Sequence, residues 1–194
     1  MNNIEFNSHS KILIVGTSGS GKSTLARRLS KELNLTDVEL DSLFWKPNWT
    51  ETPQDEFRDK ILNAISKSHG FVIHGNYNKT RDITWGNSKI VIWLDYPKWL
   101  VMWRVFKRSV SRLIKNEVLW SCNQESFQKT FLSKDSIILW AWNTYDLRRQ
   151  QYLQLMQSPE FENLKIIRIT KPDEIDRMIF SKIRRENEKD LRRL

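Results

Sequence analysis

The stretch Gly16-Thr17-Ser18-Gly19-Ser20-Gly21-Lys22-Ser23-Thr24 constrains this chain more than any other, because it satisfies G-x-x-x-x-G-K-[ST] directly after the apolar run Lys11-Ile12-Leu13-Ile14-Val15. Glycines at these steps let the backbone take φ > 0 and approach a ligand, so that consecutive N–H groups turn inward toward phosphate oxygens. In that reading Gly16 to Thr24 cradle a polyphosphate, Lys22 reaches its β- and γ-phosphates and Ser23 offers a hydroxyl to Mg²⁺. Leu25, Ala26, Leu29 and Leu33 then recur at the helical period, so a helix opens here with its positive dipole end on the anion.

The remaining chain supplies what a strand and a phosphate loop need around them. Asp37–Asp41 reads as a second strand ending on Asp41, Phe71–His74 as a third, Ile90–Asp95 as a fourth and Leu164–Ile169 as a fifth. Helices fall between them: to Asn34, then from Thr52 as N-cap and Pro53 to about Ser68, from Pro97 onward, from Lys134 to Gln157, and a charged closing helix to Leu194. Alternating strands and helices imply an α/β fold with a parallel sheet covered on both faces. At 194 residues the chain suits a single domain, 1–194, with a lid or helical insertion at about 110–135. Residues 1–10 read as a loose lead-in, and Trp140 and Trp142 as core.

Thirty-two Lys and Arg against 23 Asp and Glu leave a net charge of +9, which attracts anions such as nucleotides, nucleic acid or an acidic partner. The single cysteine, Cys122, excludes an internal disulfide and fits a reducing, cytoplasmic setting. No apolar run approaches bilayer length and Met1–Phe6 has no signal-peptide pattern, so no membrane partner is expected.

Leu94-Asp95-Tyr96-Pro97 followed by Arg104 and Arg108, together with the loop at 16–24, resembles the P-loop kinases of the nucleoside monophosphate kinase type, adenylate kinases among them. Leu40–Trp49, Gly75-Asn76-Tyr77 and Ser133–Trp142 narrow the resemblance to the adenylate kinase-like group labelled topology modulation proteins. The resemblance implies a three-layer P-loop NTPase fold with strand order 2-3-1-4-5, a helical lid, and Mg²⁺-dependent transfer of the γ-phosphoryl group of ATP to a nucleotide or other small acceptor, by a monomer or homodimer. It makes Arg104 a partner for adenine, Arg108 a phosphate clamp, and Arg148 or Arg149 a lid arginine, the other facing solvent. Arg112 reads as a solvated member of the same stripe, and Asp95 as a structural carboxylate holding the loop backbone.

Asp41 stands where related kinases place a carboxylate, either on the water shell of the metal or as the base for the acceptor hydroxyl. Two positions depart from the family. His74 precedes Gly-Asn-Tyr where similar proteins carry Asp, and Asn78 replaces an arginine that grips an acceptor phosphate, leaving Lys79 or Arg81 to substitute. Phe44, Trp45, Trp49 and Tyr77 form either an acceptor pocket or plain packing. The alternative reading is an ATP-binding regulatory protein acting on nucleic acid, suggested by the net charge and by Arg184, Arg185, Arg192 and Arg193.

Overall fold

A computed structural model describes residues 4–115, 119–122 and 136–191. Strands β1 (Lys11–Gly16), β2 (Thr36–Glu39), β3 (Phe71–His74), β4 (Ile90–Leu94) and β5 (Lys165–Ile169) form one parallel sheet in the order β2-β3-β1-β4-β5. Side chains alternate across the pleat, so the central strands β1, β3 and β4 each feed two cores. Ile12, Ile14, Val72, Ile92 and Leu94 face α1 (Lys22–Leu33) and α5 (Lys98–Ile114); Leu13, Val15, Ile73, Val91 and Trp93 face α3 (Gln54–Ser66). Strands buried on both faces are apolar throughout, which is why β1, β3 and β4 read as unbroken apolar runs.

Local chemistry sets the ends of the helices. Helix α1 stops where Asn34 adopts a left-handed conformation (φ 53°) and returns its N–H to the Ser30 carbonyl. Helix α6 (Ile137–Met156) starts where the Ser136 hydroxyl accepts from the Leu139 N–H. Thr52 does not cap α3; it is buried, its N–H bonds Phe44 O and its hydroxyl bonds Leu43 O, tying the start of α3 to α2 (Leu40–Phe44). Between α2 and α3 a small antiparallel hairpin pairs Trp45–Lys46 with Thr50–Glu51. Helix α4 (Arg81–Gly86) precedes β4, and α7 (Ser181–Leu191) closes the chain after a π-turn at Asp176–Phe180.

Three further expectations change. The second strand ends at Glu39, and Asp41 sits in the first turn of α2, because Leu40 turns into the core. The lead-in is anchored, with Phe6 buried in the core and its N–H on Glu186. Trp140 and Trp142 are exposed rather than core, since Ala141 and Tyr145 take the inward positions of α6. On α5 the inward face is Val101 and Val105, which leaves Trp99, Trp103 and Phe106 outside. The lid segment foreseen at about 110–135 continues α5 as far as Ile114, and residues 123–135 lie outside the described residues.

Candidate active site

Parallel strands deliver ligands to the crevice beyond their carboxyl ends, at the point where strand order reverses. Here that point is β1, flanked by β3 on one side and β4 on the other, and the loop after it opens a cleft of about 500 Å³. The register aligns Ile14 with His74 and His74 with Glu39, so Glu39, His74 and the loop share one rim.

The loop is a preformed nest. Gly19 (φ 80°) and Gly21 (φ 96°) hold left-handed conformations, and Gly21 stands at the N-cap of α1. A Cβ on Gly19 would meet Val105 Cγ2 at 2.5 Å, so the loop rests directly on α5. Lys22 Nζ folds back on Gly16 O (2.9 Å) and Thr17 O (3.0 Å). Burial holds this ammonium down at about 8, below its ordinary 10.5; Asp41 opposes the shift and Arg108 and Arg148 add to it. Gly16 O also accepts from Asn76 Nδ2 at 2.7 Å, and Asn76 Oδ1 accepts from the Tyr152 hydroxyl at 2.8 Å. Gly16 O therefore has a second donor besides Lys22.

Cations surround the nest. Arg104 donates to Ser20 O (3.2 Å) and lies 5.0 Å from the Tyr96 ring; Arg108 donates to the Ser18 hydroxyl (3.2 Å). Arg112 also lines the cleft, 6.0 Å from the Trp120 ring, so all three arginines of the α5 stripe face inward and not only the first two. Arg148 does not line this cleft; its guanidinium lies 5.2 Å from the Trp140 ring and within electrostatic reach of Lys22, and its Nε is buried without a hydrogen-bond partner. Arg149 is not simply solvated: it grips Asp95 (2.8 Å), which Arg168 grips from the other side (2.9 Å). Asp95, with its side chain 4% exposed, is thus a structural tie between α6 and β5.

Two carboxylates enter the cleft. Asp41 accepts from the Tyr77 hydroxyl at 2.6 Å, which with burial holds the phenol far above its ordinary range. Glu39, two residues earlier at the end of β2, lies beside the loop hydroxyl, with Ser23 Oγ 3.4 Å from its Oε1. Sequence reasoning missed Glu39 and the bonds made by Asn76 and Tyr152; the strand's alternation, with Val38 inward, was the available signal for Glu39. Ser23, Glu39 and Asp41 are oxygen donors suited to a hard cation that keeps most of its waters and takes phosphate oxygens besides. Among the described residues no group of three or more His, Cys, Asp or Glu forms a complete metal cage. The aromatics pack on one another, Phe44 against Tyr77 (4.6 Å) and Phe57 (5.1 Å), Trp45 against Trp49 (5.5 Å). Asn78, Lys79 and Arg81 sit beyond Tyr77, where Arg81 donates to Asn78 Oδ1.

Comparison with known proteins bears on the family and the fold. A family model described as an AAA domain matches residues 12–104. The chain is 31% identical over 114 residues to the shikimate kinase of a Synechococcus species, covering 52% of this chain and 60% of that protein. The chain thus spans rather more than half the length of that relative. In structure it is similar to a gluconokinase from Sinorhizobium meliloti 1021, with a TM-score of 0.50 at 15% identity over 96% of this chain and 98% of the other, a likeness of fold. The shikimate kinase of Prochlorococcus marinus is 32% identical over 142 residues, which are 66% of this chain and 70% of that protein, and on that footing the chain belongs to the P-loop kinase family that includes the shikimate kinases.

Proposed function

We propose that this protein transfers the γ-phosphoryl group of ATP to the hydroxyl of a small anionic acceptor. The observation that carries the proposal is the single cleft in which the loop, Asp41 and the arginines of α5 converge. Phosphoryl transfer needs position and neutralised charge more than covalent chemistry, and these residues offer both. Loop amides from Gly16 to Thr24 hold the polyphosphate, with Lys22 leaving the carbonyls of Gly16 and Thr17 for its β- and γ-oxygens. Ser23 and Glu39 face the place of Mg²⁺, which when bound neutralises the β- and γ-oxygens. Asp41, oriented by Tyr77, stands ready to accept the proton of the acceptor hydroxyl. Arg104 and Arg108 stabilise the charge that develops on the transferred group, with Arg148 behind Lys22.

Charge indicates the acceptor's class. Arg27 and Arg112 line the cleft in addition to Lys22, Arg104 and Arg108, with Arg28 there paired to Asp176, against Glu39 and Asp41 as the carboxylates among the described lining residues. That is more positive charge than a Mg-bound triphosphate needs, and shikimate, named by the relatives, is a hydroxy acid. The nucleic-acid reading and the narrower topology modulation label draw no comparable support: Arg184 and Arg185 lie exposed on α7 away from the cleft, and Arg192 and Arg193 are outside the described residues.

The test is ATP consumption against hydroxy acids, sugars, nucleosides and nucleoside monophosphates, with an acceptor-free control. One hydroxy acid is expected to raise turnover well above the control, and Asp41→Asn to lower it ~100-fold or more, as loss of a general base does. Turnover that no acceptor raises above the control would overturn the proposal.

A further inference from the structure

His74 is 3% exposed and spans two polar partners, with Nε2 3.0 Å from Asp37 Oδ1 and Nδ1 3.4 Å from Ser23 Oγ. We infer that His74, locked by Asp37 in its Nε2-protonated form, is a positioning residue that accepts the hydrogen bond of the Ser23 hydroxyl at Nδ1 and so turns the oxygen lone pairs of Ser23 toward the metal site. The inference rests on the reading that this loop holds a metal–nucleotide complex.

The proton count leads there. A carboxylate only accepts, so Asp37 requires the proton on Nε2, and the neutral ring then carries a bare lone pair on Nδ1. Ser23 has one proton and two acceptors within 3.4 Å, Nδ1 of His74 and Oε1 of Glu39. Both residues border the cleft, but the His74 side chain is only 4% exposed, whereas Glu39 is half-buried and open to water or a hydrated cation that can satisfy it. Leaving the buried acceptor unpaired is the costlier choice, so the hydroxyl donates to His74. Ser23 then presents lone pairs, and not a hydrogen, to a cation in the cleft, and Glu39 is left free for the cation's waters. The register supplies this for nothing, since Glu39 and His74 are directly paired across β2 and β3, with Asp37 two residues back on the same face of β2 as Glu39.

The experiment uses the full chain at about pH 8, where an ordinary imidazole is neutral. Long-range proton–nitrogen NMR on histidine-labelled protein, without any ligand, reads the form of His74 directly; Nε2–H is expected in the wild type and a mixture in Asp37→Ala. Manganese affinity of the protein–ADP complex, followed by electron paramagnetic resonance, is expected to fall about 10-fold in Asp37→Ala and in His74→Ala, the usual size of such an outer-sphere loss. His74→Asn, whose amide oxygen can accept from Ser23, should recover part of it. ADP affinity without metal should not change in Asp37→Ala, which a merely structural role for the pair would not allow. In Ser23→Ala protein, Asp37→Ala should have no further effect on manganese. An Nδ1–H form in the wild type, or unchanged manganese affinity in Asp37→Ala, overturns the inference. Failure of the wild type to bind ADP at all would instead strike the kinase reading, with the NMR result still deciding the relay.

Discussion

Lys22 makes a quantitative demand on nucleotide binding. With no ligand its ammonium titrates at about 8 instead of 10.5, because burial disfavours the charged form and Arg108 and Arg148 add to that against the pull of Asp41. A polyphosphate selects the charged form, so binding should draw a proton onto Lys22. At about pH 8 close to half of the free molecules lack that proton, and binding should take up about 0.5 proton per site. Above that point affinity should fall by nearly tenfold per pH unit, which makes ADP binding roughly tenfold weaker at about pH 9 than at about pH 7, or about 1.4 kcal/mol. Folding runs the other way: the free folded chain binds fewer protons here than the unfolded chain, so this group's contribution to stability rises with pH from about 8 to 10.5. Isothermal titration calorimetry of ADP in buffers of different ionisation enthalpy measures both the uptake and the affinity. Lys22→Arg, charged throughout this range, should give a flat profile and no uptake. A wild-type affinity that is flat from about pH 7 to about pH 9 would refute the reasoning, since a buried, neutralisable Lys22 cannot meet phosphate without showing it.

Other substitutions separate scaffold from site. Gly19→Ala places a Cβ 2.5 Å from Val105 Cγ2 at φ 80°. Left-handed strain of ~1–2 kcal/mol and overpacking of ~1–3 kcal/mol should together cost about 2–5 kcal/mol in chemical denaturation and abolish ADP binding; a stable variant that binds normally would contradict the proposed loop packing. Asp95→Ala strands two guanidiniums, but their side chains are 41% and 43% exposed, so the loss should be about 2 kcal/mol and not the ~3–5 of a wholly buried pair. Calorimetric melting should drop by roughly 4–8 °C with ADP affinity within about twofold, and a large loss of affinity at unchanged melting would move Asp95 into the site.

Much of the fold could be read from the chain because its signals are local. Continuous apolar runs such as Ile90–Leu94 mark strands covered on both faces, and the glycine spacing from Gly16 to Gly21 announces its own backbone geometry. What escaped depends on which of two faces a residue takes. Trp140 and Trp142 are large and apolar, yet the smaller Ala141 between them takes the inward position and leaves them exposed. Arg112 could not be told from a solvated charge until the helix direction was known, for the same spacing serves a cleft and a surface. The site was legible where a motif names its chemistry, as at Lys22 and Ser23. It was illegible where chemistry comes from pairing across strands: Glu39 beside His74, and Asn76 bridging Gly16 to Tyr152, join residues from 35 to 76 positions apart.

The central claim is that main-chain donors between Gly16 and Ser23 hold a nucleotide's phosphates. Amide NMR during titration with ADP and Mg²⁺ tests it most directly. The account predicts that the amide protons of Gly19, Gly21, Lys22 and Ser23 move downfield together and saturate at one ADP per chain. Saturable binding that leaves those four amides unmoved while shifting others would contradict it.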